Sequence, residues 1–155
     1  PSGQSLLKWP IDLWERVFKV NLTGALLGIR GVVPSMKQRG GGKIINISSG
    51  GAYTGGGGAY GISKLALIGL TVHMAQELGR SNITVNAIAP GLISTPAGDK
   101  ARPSGMEKAL APQIPLKTIG DPEDLCGALI FLASPAGDWV TGQTIGVDGG
   151  WIKRI

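Results

Sequence analysis

The chain has 155 residues, about one domain's length, and its 43% hydrophobic and 16% charged residues exclude intrinsic disorder. Its 26 glycines follow no three-residue period, which excludes a collagen-like fibre and points to tight turns or close backbone approaches. The formal charge of +5 is scattered, densest only at Lys37/Arg39/Lys43 and Lys153/Arg154. With aromatics at 5%, it makes no nucleic-acid-binding stripe.

Apolar runs are broken by Gly, Ser, Thr or charge before the ~20 residues that a bilayer span needs, so no transmembrane helix is expected. The single cysteine, Cys126, cannot form an internal disulfide and fits a reducing compartment. The opening Pro1-Ser2-Gly3-Gln4-Ser5 has neither the basic flank nor the apolar core of a signal peptide. It reads as the interior of a loop, and an N-terminal part is expected to be missing.

In chain order, Trp14, Val17, Phe18, Ala25, Ile29, Val32 and Met36 form an apolar stripe at helical spacing across residues 11–39. Asp12 suits the start of that helix, Pro34 is expected to kink or end it, and Gly40-Gly41-Gly42 closes it. Asn21 falls on the apolar face, where an amide is costly unless hydrogen-bonded. Residues 43–48 read as a strand covered on both faces, 49–58 as a Gly-rich loop, and 59–78 as a second helix with Ala66, Leu67, Leu70, Met74 and Leu78 inward.

Residues 83–89 form another buried strand, closed by Pro90-Gly91. Residues 92–118, with four prolines and no sustained period, are expected to be a structureless substrate-binding loop or lid. Asp121 as N-cap and Pro122 at the first helical position open a helix whose buried face is Leu125, Ala128, Leu129 and Leu132, with Cys126 as a small core residue. A last strand covers 143–147, flanked by Trp139 and Trp151. The alternation predicts an α/β, Rossmann-like doubly wound parallel sheet with helices on both faces.

Chemistry concentrates in Asn46-Ile47-Ser48-Ser49 and Tyr60-Gly61-Ile62-Ser63-Lys64. Tyr60 and Lys64, four apart on a helix, share a face. A lysine beside a phenol favours the phenolate and brings its proton transfer toward neutral pH. A serine at the end of the preceding strand reaches the same point, because ligands of open α/β sheets sit beyond the strand C-termini.

Gly56-Gly57-Gly58-Ala59-Tyr60-Gly61 satisfies G-x-G-x-x-G, but the strand ends too early to run into its first glycine, so the match is one of glycine richness. Gly40-Gly41-Gly42-Lys43 leads into a strand and is no P-loop. His73 has a packing or surface role. The Asn-x-Ser/Thr triplets at Asn21, Asn46 and Asn82 are expected to be chance matches, with no secretory signal in these residues and two of the triplets inside predicted elements.

In this order the residues resemble the short-chain dehydrogenase/reductase family. The match is carried by Asn21-Leu22-Thr23-Gly24, Asn46-Ile47-Ser48-Ser49, Tyr60 to Lys64, Val85-Asn86-Ala87-Ile88-Ala89-Pro90-Gly91 with Thr95, and Thr141-Gly142-Gln143 through Asp148-Gly149-Gly150. The resemblance implies that residues 1–155 are the C-terminal portion of one such domain, in an NAD- or NADP-dependent oxidoreductase interconverting a carbonyl and a secondary alcohol. Tyr60 would be the general acid/base, Lys64 its tuner and a ligand of the nicotinamide ribose, and Ser49 the holder of the substrate oxygen. Asn21 would anchor a water, and Pro90, Gly91, Ile93 and Thr95 would meet the nicotinamide end of the cofactor. Of the adjacent serines, the family pattern selects Ser49.

The family's first strand, its Gly-rich phosphate turn and its cofactor selector have no counterpart in these residues, which alone should bind the dinucleotide poorly. The resemblance also implies a cytoplasmic homotetramer or homodimer acting on small-molecule carbonyls or alcohols, 3-oxoacyl thioesters and cyclic or steroid-like alcohols leading, with no nucleic-acid or membrane partner. The alternatives are a non-catalytic relative that binds or regulates, and an inactive fragment.

Overall fold

Three short segments rich in Ile, Val and Ala pair as a parallel sheet in a computed structural model that describes residues 5–55, 57–101, 104–116 and 118–152. Expectations attached to residues 1–4, Gly56, Pro103, Lys117, Lys153 and Arg154 lie outside those residues. The strands are β1 (Gly42–Ile47), β2 (Ile83–Pro90) and β3 (Thr144–Val147), side by side in that order, with Ile44 opposite Val85 and Ile88 opposite Ile145. β2 is central, and Ile83, Val85, Ala87, Ile88 and Ala89 are each at most 1% exposed. Coverage on both faces removes any need for polar alternation, which is why the strand reads as a continuous apolar run.

Neighbouring residues of β1 show the two layers. Ile44 joins Ile83 and Val85 of the sheet and Ile29, Met74, Ala75 and Leu78 of two helices in one core cluster. Those helices are α2 (Gly24–Gln38) and α3 (Ala59–Leu78), packed on β1 and β2 respectively. Lys43 points to the opposite face and pairs with Asp138, Nζ to Oδ1 2.6 Å, just beyond α6 (Cys126–Ala133), which packs on β1 and β2. Helices therefore lie on both faces, as the alternation predicted. Asn86, fully buried, pins the approach to β3 by donating to Val140 O (2.8 Å) and accepting from Gln143 N (3.0 Å).

The first long helix departs from its sequence reading in two ways. α1 (Ile11–Phe18) and α2 are joined without a break by a π turn, Lys19–Thr23, centred on Asn21. Pro34 does not end α2, which runs on to Gln38 and stops where Gly40 and Gly41 take φ of 80° and 154°. At an exposed position the one lost N–H costs little, because water satisfies the freed carbonyl. Residues 11–38 are also long and apolar enough, by length and composition alone, to cross a membrane. In this fold α1 packs on α3, and α2 puts Ile29 into the core.

Residues 92–118 are less irregular than expected, holding α4 (Pro96–Ala101) and α5 (Met106–Leu110). Helices of one or two turns are too short to show a period. In α6, Leu132 is buried, whereas Leu129 is 43% exposed and Cys126 lies at the surface, against expectation. Val32 of α2 is exposed for the same reason. Both segments are apolar nearly all round, so periodicity could not choose their inner face. The entry to α6 is as expected, with Asp121 capping and its N–H donating to Asp124 Oδ2 at 2.8 Å.

Candidate active site

Beyond the C-terminal ends of β1 and β2 lie two loops, and the reactive side chains gather at the first. The two serines after β1 diverge. Ser48, 2% exposed, donates its hydroxyl to Lys64 O at 2.9 Å and has no face left for a ligand. Ser49 is half-buried and accepts from Gly51 N at 3.1 Å, so its own O–H remains to be given. A Cβ on Gly51 would stand 3.4 Å from Ser49 Oγ and 4.0 Å from Tyr60 Cε1. Hydroxyl and phenol ring thus flank one gap whose floor carries no side chain.

Tyr60 sits in the first turn of α3, 44% exposed. The helix begins after Gly58, whose φ of 55° and ψ of −132° suit only glycine. One turn on, Lys64 lies against the same site, its Nζ 5.7 Å from the Tyr60 ring centroid and donating to Ile47 O at 2.8 Å. The ammonium is therefore fixed between the end of β1 and the phenol, with two further N–H groups to offer. Burial lowers the Lys64 pKa below that of an ordinary lysine, because desolvation penalises the charged form.

Asn21 reaches the same turn from the other helix. Its Nδ2 donates to Ser63 Oγ at 2.9 Å, and Ser63 Oγ–H donates to Tyr60 O at 2.7 Å. The costly amide inferred from the sequence is thus paired. A π turn, where one extra residue displaces the helical ladder, recurs at functional sites.

Pro90, Gly91, Ile93 and Thr95 stand one strand away. Gly91 follows β2 directly, and a Cβ there would lie 2.6 Å from Asp148 Cα, so no larger residue fits. Ile93 bridges Gly120, and Thr95 Oγ1 accepts from Gly98 N at 3.0 Å in the first turn of α4. Beside them a cavity of about 230 Å³ is lined by Leu92, Ile93, Leu116, Val147 and others; Tyr60 is not among its walls.

A nicotinamide cofactor would find a partial fit. The free N–H groups of Lys64 and the half-exposed phenol suit a ribose hydroxyl and a reacting oxygen at the ends of β1 and β2. A pyrophosphate turn needs a strand running straight into glycines at a helix N-terminus. Residues 48–58 separate β1 from α3, so that connection does not supply one.

Sequence reasoning passed over Ser63, Thr71 and Gly51. Ser63 and Thr71 are both fully buried on α3, and Thr71 Oγ1 accepts from Asn46 Nδ2 at 2.9 Å. The available signal was the one used for Asn21, a polar residue on an apolar stripe, here at four-residue steps through Leu67.

The family profile described as Enoyl-(Acyl carrier protein) reductase matches residues 2–152. A 3-oxoacyl-[acyl-carrier-protein] reductase of Thermotoga maritima is 43% identical over 149 residues, covering 95% of this chain and 60% of that protein. The pig (Sus scrofa) protein named dehydrogenase/reductase SDR family member 4 is 40% identical over 151 residues, with coverages of 93% and 53%. The chain therefore spans little more than half the length of these relatives.

Among solved structures, a 7α-hydroxysteroid dehydrogenase complexed with NADH and 7-oxo-glycochenodeoxycholic acid superposes with a TM-score of 0.89 at 34% identity, covering 95% of this chain and 58% of that one. A gluconate 5-dehydrogenase from Burkholderia cenocepacia, in complex with NADP and tartrate, gives a TM-score of 0.91 at 34% identity, with coverages of 98% and 61%. By fold, by motif order and by a family match over nearly its whole length, the chain belongs to the short-chain dehydrogenase/reductase family.

Proposed function

We propose that this chain carries the proton-transfer site of an NAD- or NADP-dependent oxidoreductase that interconverts a carbonyl and a secondary alcohol. The observation that carries this reading is Lys64 Nζ held at Ile47 O with its charge 5.7 Å from the Tyr60 ring. When bound, the nicotinamide supplies or accepts the hydride at the substrate carbon. In reduction Tyr60 Oη gives its proton to the substrate oxygen, and in oxidation it takes that proton back. Ser49 Oγ–H steadies the same oxygen across the gap above Gly51. Lys64 opposes the negative charge that grows on the phenol and offers its remaining N–H groups to the ribose. Pro90, Gly91, Ile93 and Thr95 form the wall at the nicotinamide end, Asn21 anchors a water on the proton path, and residues 92–118 close over the substrate.

A 3-oxoacyl thioester or a cyclic, steroid-like alcohol is the substrate class we favour. The reading draws on the Thermotoga maritima reductase and the 7α-hydroxysteroid dehydrogenase. We place the protein in the cytoplasm as a homodimer or homotetramer. Val20 with Leu27 and Leu65 with Val72, each pair seven apart and exposed, give the α1–α2 and α3 helices an apolar outer face. The test is oxidation of reduced nicotinamide, as NADH or NADPH, by the full-length protein that contains these residues, with an acetoacetyl thioester and a cyclic ketone. Cofactor oxidation that depends on the carbonyl is expected; its absence with both carbonyls and both cofactors refutes the assignment.

A further inference from the structure

Ser63 lies one residue before Lys64 and three after Tyr60, and it is fully buried. A buried hydroxyl is costly unless both its capacities are used. Here they are, and by two different elements. The proton goes to Tyr60 O at 2.7 Å, within α3, and a lone pair takes Asn21 Nδ2 at 2.9 Å, from the π turn of the neighbouring helix. The π turn is closed by Gly24 N–H donating to Lys19 O, so its extra residue bulges where Asn21 stands. On the other side of the same helical turn, Ser48 Oγ–H donates to Lys64 O and Lys64 Nζ–H to Ile47 O. The Tyr60–Lys64 turn is therefore tied to β1 by one pair of hydrogen bonds and to the long helix through Ser63.

We propose that Ser63 is a positioning residue, whose hydroxyl holds the Tyr60–Lys64 turn of α3 in register with the π turn at Asn21. It touches no reacting atom and acts through Tyr60 and Lys64, so the proposal rests on the functional reading above. If Ser63 were only a space-filling residue, alanine would serve as well. Asn21 is half-buried, so water could take its amide and little stability would be lost. What alanine cannot replace is the link between the helices. A reacting group displaced by about an ångström loses on the order of a hundredfold in rate.

The test compares Ser63→Ala, Asn21→Ala, the double variant and Ser63→Thr, which keeps the hydroxyl, each made in the full-length protein that contains these residues. Two readouts are taken: kcat and KM with the carbonyl substrates above, and the titration of Lys64 followed by NMR of lysine labelled at Cε without cofactor. Ser63→Ala is expected to lower kcat by roughly 10- to 100-fold with KM little changed, and to move Lys64 upward, toward an ordinary lysine, as water reaches the loosened turn. Asn21→Ala is expected to do the same, the double variant no more than either single one, and Ser63→Thr to restore both readouts. Asn21→Ala perturbs the link from its half-buried end and keeps the test open should Ser63→Ala fail to fold. Unchanged kcat and Lys64 titration in Ser63→Ala, or single effects that multiply in the double variant, would overturn the proposal. If no carbonyl is turned over by the parent protein, the functional reading fails, while the Lys64 titration of the four variants still decides the role of Ser63.

Discussion

Replacing Lys64 with methionine keeps the length of the side chain and removes only its charge and its hydrogen bond. A unit positive charge 5.7 Å from the ring centroid interacts with a unit negative charge placed there by about 0.7 kcal/mol at a dielectric constant near 80 and about 3 kcal/mol near 20. If that charge grows on Tyr60 in the transition state, Lys64→Met should slow turnover by between about threefold and a hundredfold. Half-burial places the site toward the larger figure. Steady-state kcat at saturating cofactor and substrate is the assay, with circular dichroism confirming the fold.

The same substitution has a separate signature in stability. Burial lowers the folded-state pKa of Lys64, so between that value and the ordinary ~10.4 the unfolded chain binds more protons than the folded one. Stability should therefore rise with pH across that window in the parent protein, and this component should be missing in Lys64→Met. A kcat within about twofold of the parent, together with an unchanged pH slope, would mean that Lys64 carries no such charge interaction with Tyr60.

Ser49→Ala should lower kcat with little change in stability, whereas Ser48→Ala should mainly destabilise, by about 1 kcal/mol; the reverse pattern in paired kinetic and thermal measurements would exchange their roles. Thr71→Val strands the Asn46 amide and should cost about 1–3 kcal/mol in urea unfolding, most of it recovered in the Asn46→Leu/Thr71→Val double variant. Equal losses in single and double variants would count against that pair. Gly91→Ala forces a methyl against the Asp148 backbone and should destabilise by about 1–3 kcal/mol. Gly69→Ala, at an exposed interior position of α3 with open space around it, should stabilise by about 0.5–1 kcal/mol.

The sheet was legible because β1 and β2 are runs rich in Ile, Val and Ala, although only β2 is covered on both faces as expected and Ile47 of β1 is 49% exposed. The helix α3 was legible because a Gly-rich loop precedes it, and its limits at Ala59 and Leu78 agree with the sequence reading. The inner faces of α2 and α6 were not legible, since an apolar run such as Cys126 to Ala133 carries no phase. The π turn leaves no trace in composition, and its one hint was an amide on an apolar stripe. The spacing of Tyr60 and Lys64 fixes their shared face, but the different commitments of Ser48 and Ser49 depend on which hydroxyl meets α3. That is a tertiary fact, decided by the end of β1 against the Lys64 carbonyl.

In the proposed reaction it is the Tyr60 phenol that moves the proton. Tyr60→Phe keeps the ring and removes only the hydroxyl, so the measurement, made in the full-length protein that contains these residues, is carbonyl-dependent oxidation of reduced nicotinamide beside cofactor binding followed by fluorescence. Turnover is expected to fall by roughly 10²- to 10⁴-fold with cofactor affinity retained. Turnover equal to that of the parent protein would contradict that role.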